Sequence, residues 1–120
     1  MAVSQDFTDL VLERLAPLGD VRARKMFGGV GVSCDGMNIA ILADDALFLK
    51  VDAETRAAFE AAGLEPFTYE KKDGERAVMA YYQAPEDVFD DPDAAMEWGR
   101  LALDAALRAA AKKKPKKKKA

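Results

Sequence analysis

The chain contains no histidine. That absence removes Ser-His-Asp and Cys-His nucleophile systems, His-zinc sites and imidazole acid-base chemistry. An enzyme on this chain would have to work with carboxylates, lysine, tyrosine or a single thiol. Cys34 is that thiol, and one cysteine makes neither an internal disulfide nor a multi-thiolate zinc site, in keeping with a reducing compartment. Apolar runs are short: none approaches the roughly 18 residues that a membrane span needs. The opening residues, MAVSQDFTDLVLERL, lack a basic leader segment and go straight into an acidic amphipathic stretch. A cleaved signal peptide is therefore not expected, and a cytoplasmic location is. No internal repeat with a period of 20 to 50 residues is visible, which argues against a solenoid.

What is present fits one globular domain. At 120 residues the chain can close a single hydrophobic core, and 50% apolar with 32% charged residues is a soluble balance. The net charge of -3 conceals an asymmetry. Residues 112–120, KKKPKKKKA, hold seven of the 18 basic residues, which leaves 11 Lys+Arg against 21 Asp+Glu in residues 1–111, a net of -10. A body so acidic would be repelled by a duplex, whereas the tail would be drawn to phosphates.

Ser4 is placed to cap a helix to about Leu15, with Phe7, Leu10, Val11, Leu15 and Leu18 near one face and Pro17 and Gly19 ending it. From Val21 to Val51 short apolar runs are broken by Gly28-Gly29, Asp35-Gly36 and Asp44-Asp45, which predicts four antiparallel strands joined by hairpin turns. A two-residue Asp35-Gly36 turn sets Cys34 opposite Met37, Val32 opposite Ile39 and Val30 opposite Ile41, all on one apolar face. Carrying Leu47, Leu49 and Val51 onto that face requires an odd loop around Ala43 to Asp45. Phe48 and Lys50 then point to the outer face, with Arg22, Arg24, Met26, Ser33 and Asn38. Asp52 starts a second helix that ends near Gly63, with Phe59 as its anchor and Arg56 and Glu60 one turn apart as an ion pair. A hairpin around Asp73-Gly74 and a long last helix from Pro92 complete the chain. The expectation is an α+β fold with an antiparallel sheet, in the order helix, four strands, helix, two-strand hairpin, long C-terminal helix, occupying residues 1–111 and followed by a disordered Lys-rich tail over 112–120.

Several groupings invite a chemical reading. Gly28, Gly29 and Gly31 resemble a nucleotide loop, but no Lys-Ser/Thr follows and the next element is a strand, so Gly28 and Gly29 read as a structural turn. Cys34 falls on the buried face and reads as a core residue. The acidic stretch Glu86, Asp87, Asp90, Asp91 and Asp93 lacks the alternating ligands of a calcium loop and suits a helix start, so no metal or cofactor is expected. Arg22, Arg24, Lys25 and Lys50, with Phe48 nearby, form a basic cluster suited to an anion or an acidic partner segment. Lys112, Lys113, Lys114, Lys116, Lys117, Lys118 and Lys119 are available for non-specific attraction to nucleic acid. Against these stands a second reading, a small-molecule site or minor enzyme in a cleft between the sheet and the last helix, using Tyr69, Tyr81, Tyr82, Cys34 and a carboxylate.

Taken together, Arg24-Lys25-Met26-Phe27-Gly28-Gly29-Val30-Gly31, Phe48-Leu49-Lys50-Val51-Asp52, Phe67-Thr68-Tyr69 and Met79-Ala80-Tyr81-Tyr82 resemble the TfoX/Sxy amino-terminal domain family over about residues 5 to 108. The best-known members are bacterial regulators of natural competence that work with a cyclic-AMP receptor-type activator at promoters and carry a second, carboxy-terminal helical domain. The resemblance implies a small α+β domain without catalysis, and no catalytic residues to transfer. The expected function is a regulatory or interaction module that contacts a protein partner, transcription machinery among the candidates.

Overall fold

The computed structural model describes residues 4–26, 29–70 and 76–119; the side chains at 26, 69–70, 76–79 and 113–119 lie outside the description. Helix α1 spans Gln5–Leu15, and the Ser4 hydroxyl accepts the Phe7 N–H at 3.1 Å, one of the donors that a helix start leaves free. Thr8, Val11 and Leu15 follow at helical spacing as its buried stripe. A 3-10 turn over Ala16–Leu18, with Pro17 in its first positions, ends the helix.

Strands β1 (Val21–Met26), β2 (Gly29–Cys34), β3 (Met37–Ala43) and β4 (Ala46–Lys50) come next, then α2 (Arg56–Ala61), β5 (Pro66–Glu70), β6 (Arg76–Gln83), the one-turn α3 (Asp87–Asp90) and α4 (Pro92–Lys119). The strands form one six-stranded sheet in the order β1-β2-β3-β4-β6-β5, with every neighbouring pair antiparallel. The fold is α+β in the expected sequence of elements, with the 3-10 turn and α3 added. Both well-described hairpin turns place two residues in the left-handed region, Asp35 and Gly36 at φ 52° and 87°, and Asp44 and Asp45 at φ 51° and 55°. That is the geometry that matches the twist of a two-residue hairpin, and Asp and Gly tolerate it best. The Asp73-Gly74 turn lies outside the described residues.

Between β2 and β3 the register departs from the expected one, and the departure has a clear cause. Cys34 pairs with Met37 and Ser33 with Asn38, but Val32 then pairs with Ala40 and Val30 with Leu42. One residue, Ile39, is extra on β3, a bulge that lets Met37 and Ile39 face the core before it and Ala40 and Leu42 after it. Ile41, expected opposite Val30 on the core side, instead lies opposite Gly31 and Phe48 on the other face. The odd residue needed to bring Leu47 and Leu49 to the core is thus inside the strand, and the Ala43–Ala46 pair closes a two-residue turn rather than an odd loop. Gly29 is likewise a strand residue paired with Met26, not half of a Gly28-Gly29 turn; Gly28 lies outside the described residues.

Helices α1, α2 and α4 pack on one face of the sheet. Val11 and Leu15 of α1, Phe59 of α2, and Ala95, Ala102 and Ala106 of α4 join Val32, Leu42, Leu47, Leu49 and Tyr82 in the core. The Phe59 ring sits edge-on to Trp98 at 4.8 Å and tilted against Tyr82 at 5.9 Å. Where α4 crosses the end of α1, Gly99 is buried; a Cβ there would lie 2.9 Å from Leu18 Cδ1 and 3.1 Å from Leu15 Cδ2, so a hydrogen is what allows the close approach. Pro92 opens α4, and Asp91 accepts the Asp93 N–H on its side chain and the Ala95 N–H on its carbonyl, each at 3.0 Å. The acidic stretch therefore serves as a helix start. The α4 backbone is 28 residues long and continues past Ala111 to Lys119.

Candidate functional site

The face of the sheet away from the helices carries four of the five partner-binding residues expected from sequence, Arg22, Arg24, Phe48 and Lys50, but it does not gather them into one cluster. Arg24 pairs with Gly31, Gly31 with Ile41, Ile41 with Phe48, and Phe48 with Gln83, so these residues form one row across the sheet. Arg24 is three strands from Phe48, about 14 Å at the usual strand spacing. Arg22, two residues along on the same face, is 77% exposed and holds Asp20 at 3.2 Å. Lys25 pairs with Val30 and belongs to the helix-side face, where it is exposed. The supposed single basic cluster is thus a cationic edge on β1 and a separate patch around Phe48 and Lys50.

That patch is the more structured of the two. Phe48 meets Phe67 of β5 edge-on at 4.8 Å, and Ile41, 6% exposed, lies directly across from it. Toward the other end of β4, Lys50 places its ammonium 5.4 Å from the centre of the Tyr81 ring. Asn38 donates to the Tyr81 hydroxyl at 3.1 Å, fixing the ring's far end. An open notch of about 290 Å³ adjoins the phenylalanine pair, lined by Ala46, Phe48, Pro66, Phe67 and Gln83. Phe48, Phe67 and Lys50 are half-buried on this face, while Ile41 and Tyr81 beneath them are buried.

Asn38 was placed on this face from sequence, whereas Ile41, Phe67 and Tyr81 were not singled out as members of the surface. Tyr81 was within reach, because adjacent strand residues point to opposite faces and Tyr82 carries the stronger tie to the core. Ile41 was not, since only the bulge sends it outward.

The groups of the alternative chemical reading do not converge. Tyr82 faces the helices, where its hydroxyl donates to Glu60 Oε2 at 2.7 Å; that carboxylate, and then burial, push the phenol pKa upward. Glu60 thus holds Tyr82, where an ion pair with Arg56 was expected. Tyr81 is on the opposite face, and the side chain of Tyr69 lies outside the described residues. Cys34 is fully buried, and burial, with Asp35 and Asp20 nearby, pushes its thiol up. Where α4 meets the sheet, Leu42, Leu49 and Ala102, all at 0% exposure, fill the space in which a cleft was expected. Asp52 does not cap α2 directly but initiates the turn before it, accepting from the Glu54 and Thr55 N–H groups at 3.0 and 3.2 Å. The Lys112–Lys119 segment continues α4 along its backbone; the side chains beyond Lys112, and hence the expected phosphate contacts, lie outside the described residues. No described helix is long and apolar enough to cross a membrane.

The architecture defines a class: a small antiparallel α+β domain layered with helices on one side, with an aromatic and cationic surface on the other. The TfoX N-terminal domain model matches residues 13–106, and the chain belongs to that family. A search of curated proteins returns no match to the chain.

Proposed function

We propose that this chain is a non-enzymatic regulatory module that captures a protein partner on the helix-free face of its sheet. The observation that carries the reading is the joined pair of ring contacts on that face, Phe48 with Phe67 and Lys50 with Tyr81. Phe48 and Phe67 are half-buried on the side that the helices leave free, and the buried Tyr81 ring seats the Lys50 ammonium beside them. Membership of a family with competence regulators among its members supports a regulatory role and makes transcription machinery the first class of partner to test. The dispersal of Tyr81, Tyr82 and Cys34 over two faces and the interior supports a function without catalysis.

The test is co-purification from the native host with the wild-type chain, Phe48→Ser and the double variant Arg24→Glu with Lys50→Glu, each checked for an unchanged circular dichroism spectrum. A partner retained by the wild type and lost by Phe48→Ser is the expected result. Equal retention by all three would remove the surface from consideration. The notch beside Phe48 favours one second reading, a small-molecule ligand seated at the same surface. A metabolite that raised the melting temperature of the wild type but not of Phe48→Ser would favour it.

A further inference from the structure

Strand β1 is an edge, paired on one side only. Its hydrogen-bonding phase follows from the next hairpin. The two-residue Asp35-Gly36 turn makes Cys34 and Met37 a bonded pair, so Cys34 directs its backbone groups to β3, and Ser33 directs its own to β1. Arg22, opposite Ser33, and Arg24, two residues on, therefore bond to β2. The Asp35 N–H donating to the Asp20 carbonyl at 2.9 Å continues the same phase. Val21, Ala23 and Lys25 are left with their N–H and C=O groups directed at the free edge. The helix layer does not reach over this stretch: Arg22, Ala23, Arg24 and Lys25 are all exposed.

Three cations in four residues, on a body whose net charge is otherwise acidic, select what can pair there. A second copy of β1 would set like charges side by side, which disfavours edge-to-edge dimers. An acidic strand would instead meet Arg22 and Arg24 on one face and Lys25 on the other. The Arg22–Asp20 pair is a minor obstacle, since both side chains are well exposed, 77% and 60%, and solvent screens them. We infer that β1 accepts an acidic extended peptide as a seventh strand, with carboxylates at alternate positions beside Arg22 and Arg24 and small aliphatic residues beside Val21 and Ala23. This rests on the reading of the domain as a protein-capture module and adds the chemistry of the captured segment.

The probe is a terminally blocked, fluorescein-labelled peptide of alternating Glu and Val, with a second version N-methylated at alternate backbone nitrogens so that charge is kept and strand pairing is not. Anisotropy at low salt should show the wild-type chain binding the first at least tenfold more tightly than the second. Arg22→Glu with Arg24→Glu should lose that binding and take up the Lys/Val counterpart instead, while Ala23→Pro should lose it without any change of charge. Equal binding of the methylated and plain peptides would overturn the inference, because charge alone would then explain it. So would no binding at low salt, or oligothymidylate displacing the peptide at equal phosphate and carboxylate concentration. If the host partner is lost on Phe48→Ser yet the peptide never binds, the edge assignment fails while the capture module stands.

Discussion

Asp52 joins the turn before α2 to α4 by polar contacts. One of its oxygens accepts the Glu54 and Thr55 N–H groups, and the other takes the Arg108 Nε at 2.6 Å, tying the turn before α2 to α4. The Arg108 hydrogen bond is the main reason that the Asp52 carboxyl pKa falls to about 2. A carboxyl held below its unfolded value adds stability that is present above roughly pH 4 and lost as pH falls toward 2. Acid denaturation should therefore show a stability slope between about pH 4 and 2 that Arg108→Met flattens. Asp52→Ala, which also removes the acceptor of the Glu54 and Thr55 N–H groups, should cost about 1 kcal/mol at neutral pH by urea unfolding. At the same scale, burial of Cys34 predicts that a thiol reagent such as DTNB leaves the native protein unmodified and titrates one thiol in 6 M guanidinium chloride. Fast native-state reaction would show that the end of β2 opens.

Among the elements, α4 and β3 carry the strongest constraints. Gly99 sits where α4 crosses Leu15 and Leu18, and a β-branched side chain there has nowhere to go. Gly99→Val should destabilise the domain by about 1–3 kcal/mol, measured by chemical denaturation; Gly99→Ala should cost less, because its added carbon meets the movable ends of leucines. The elements themselves were legible from residue chemistry: Ser4, Pro92 and the paired turn residues mark their ends in the sequence. Pairing of Cys34 with Met37 was equally legible, since the Asp35-Gly36 turn dictates it. The bulge was not. Ile39, Ala40, Ile41, Leu42 is an apolar run too continuous to reveal where alternation slips, and only the later demand of Leu47 and Leu49 for the core signals that one residue is surplus. That demand says nothing of whether the surplus lies in a strand or in a loop. The candidate surface was half legible for the same reason: Phe48 and Lys50 follow from alternation within β4, whereas Ile41 depends on the slip.

At the scale of the molecule, charge separates along the chain. An acidic body carries seven of the chain's eleven lysines at one end, so any attraction to a polyanion should depend on that end. Fluorescence anisotropy with labelled duplex DNA should show binding by the full chain at low salt that weakens steeply with added salt, with a logarithmic slope no steeper than about -6. A version ending at Ala111 should show none, because its net charge is -10. Binding that survives the truncation would place the contact on the folded body, and the β1 edge would be the first region to search.

The surplus residue at position 39 also sets a rule of parity for the whole sheet. Before it, odd-numbered side chains of β3 belong to the interior; after it, even-numbered ones do, and β4 inherits the changed phase through the tight Asp44-Asp45 turn. Excising Ile39 would restore strict alternation from Met37 through Ala40 to Leu42 and keep Leu47 and Leu49 on the core side, at the loss of one buried side chain. The bulge is therefore where the fold can absorb a single-residue deletion, whereas a deletion in the Asp44-Asp45 turn would carry Leu47 and Leu49 to the side of Phe48 and Lys50.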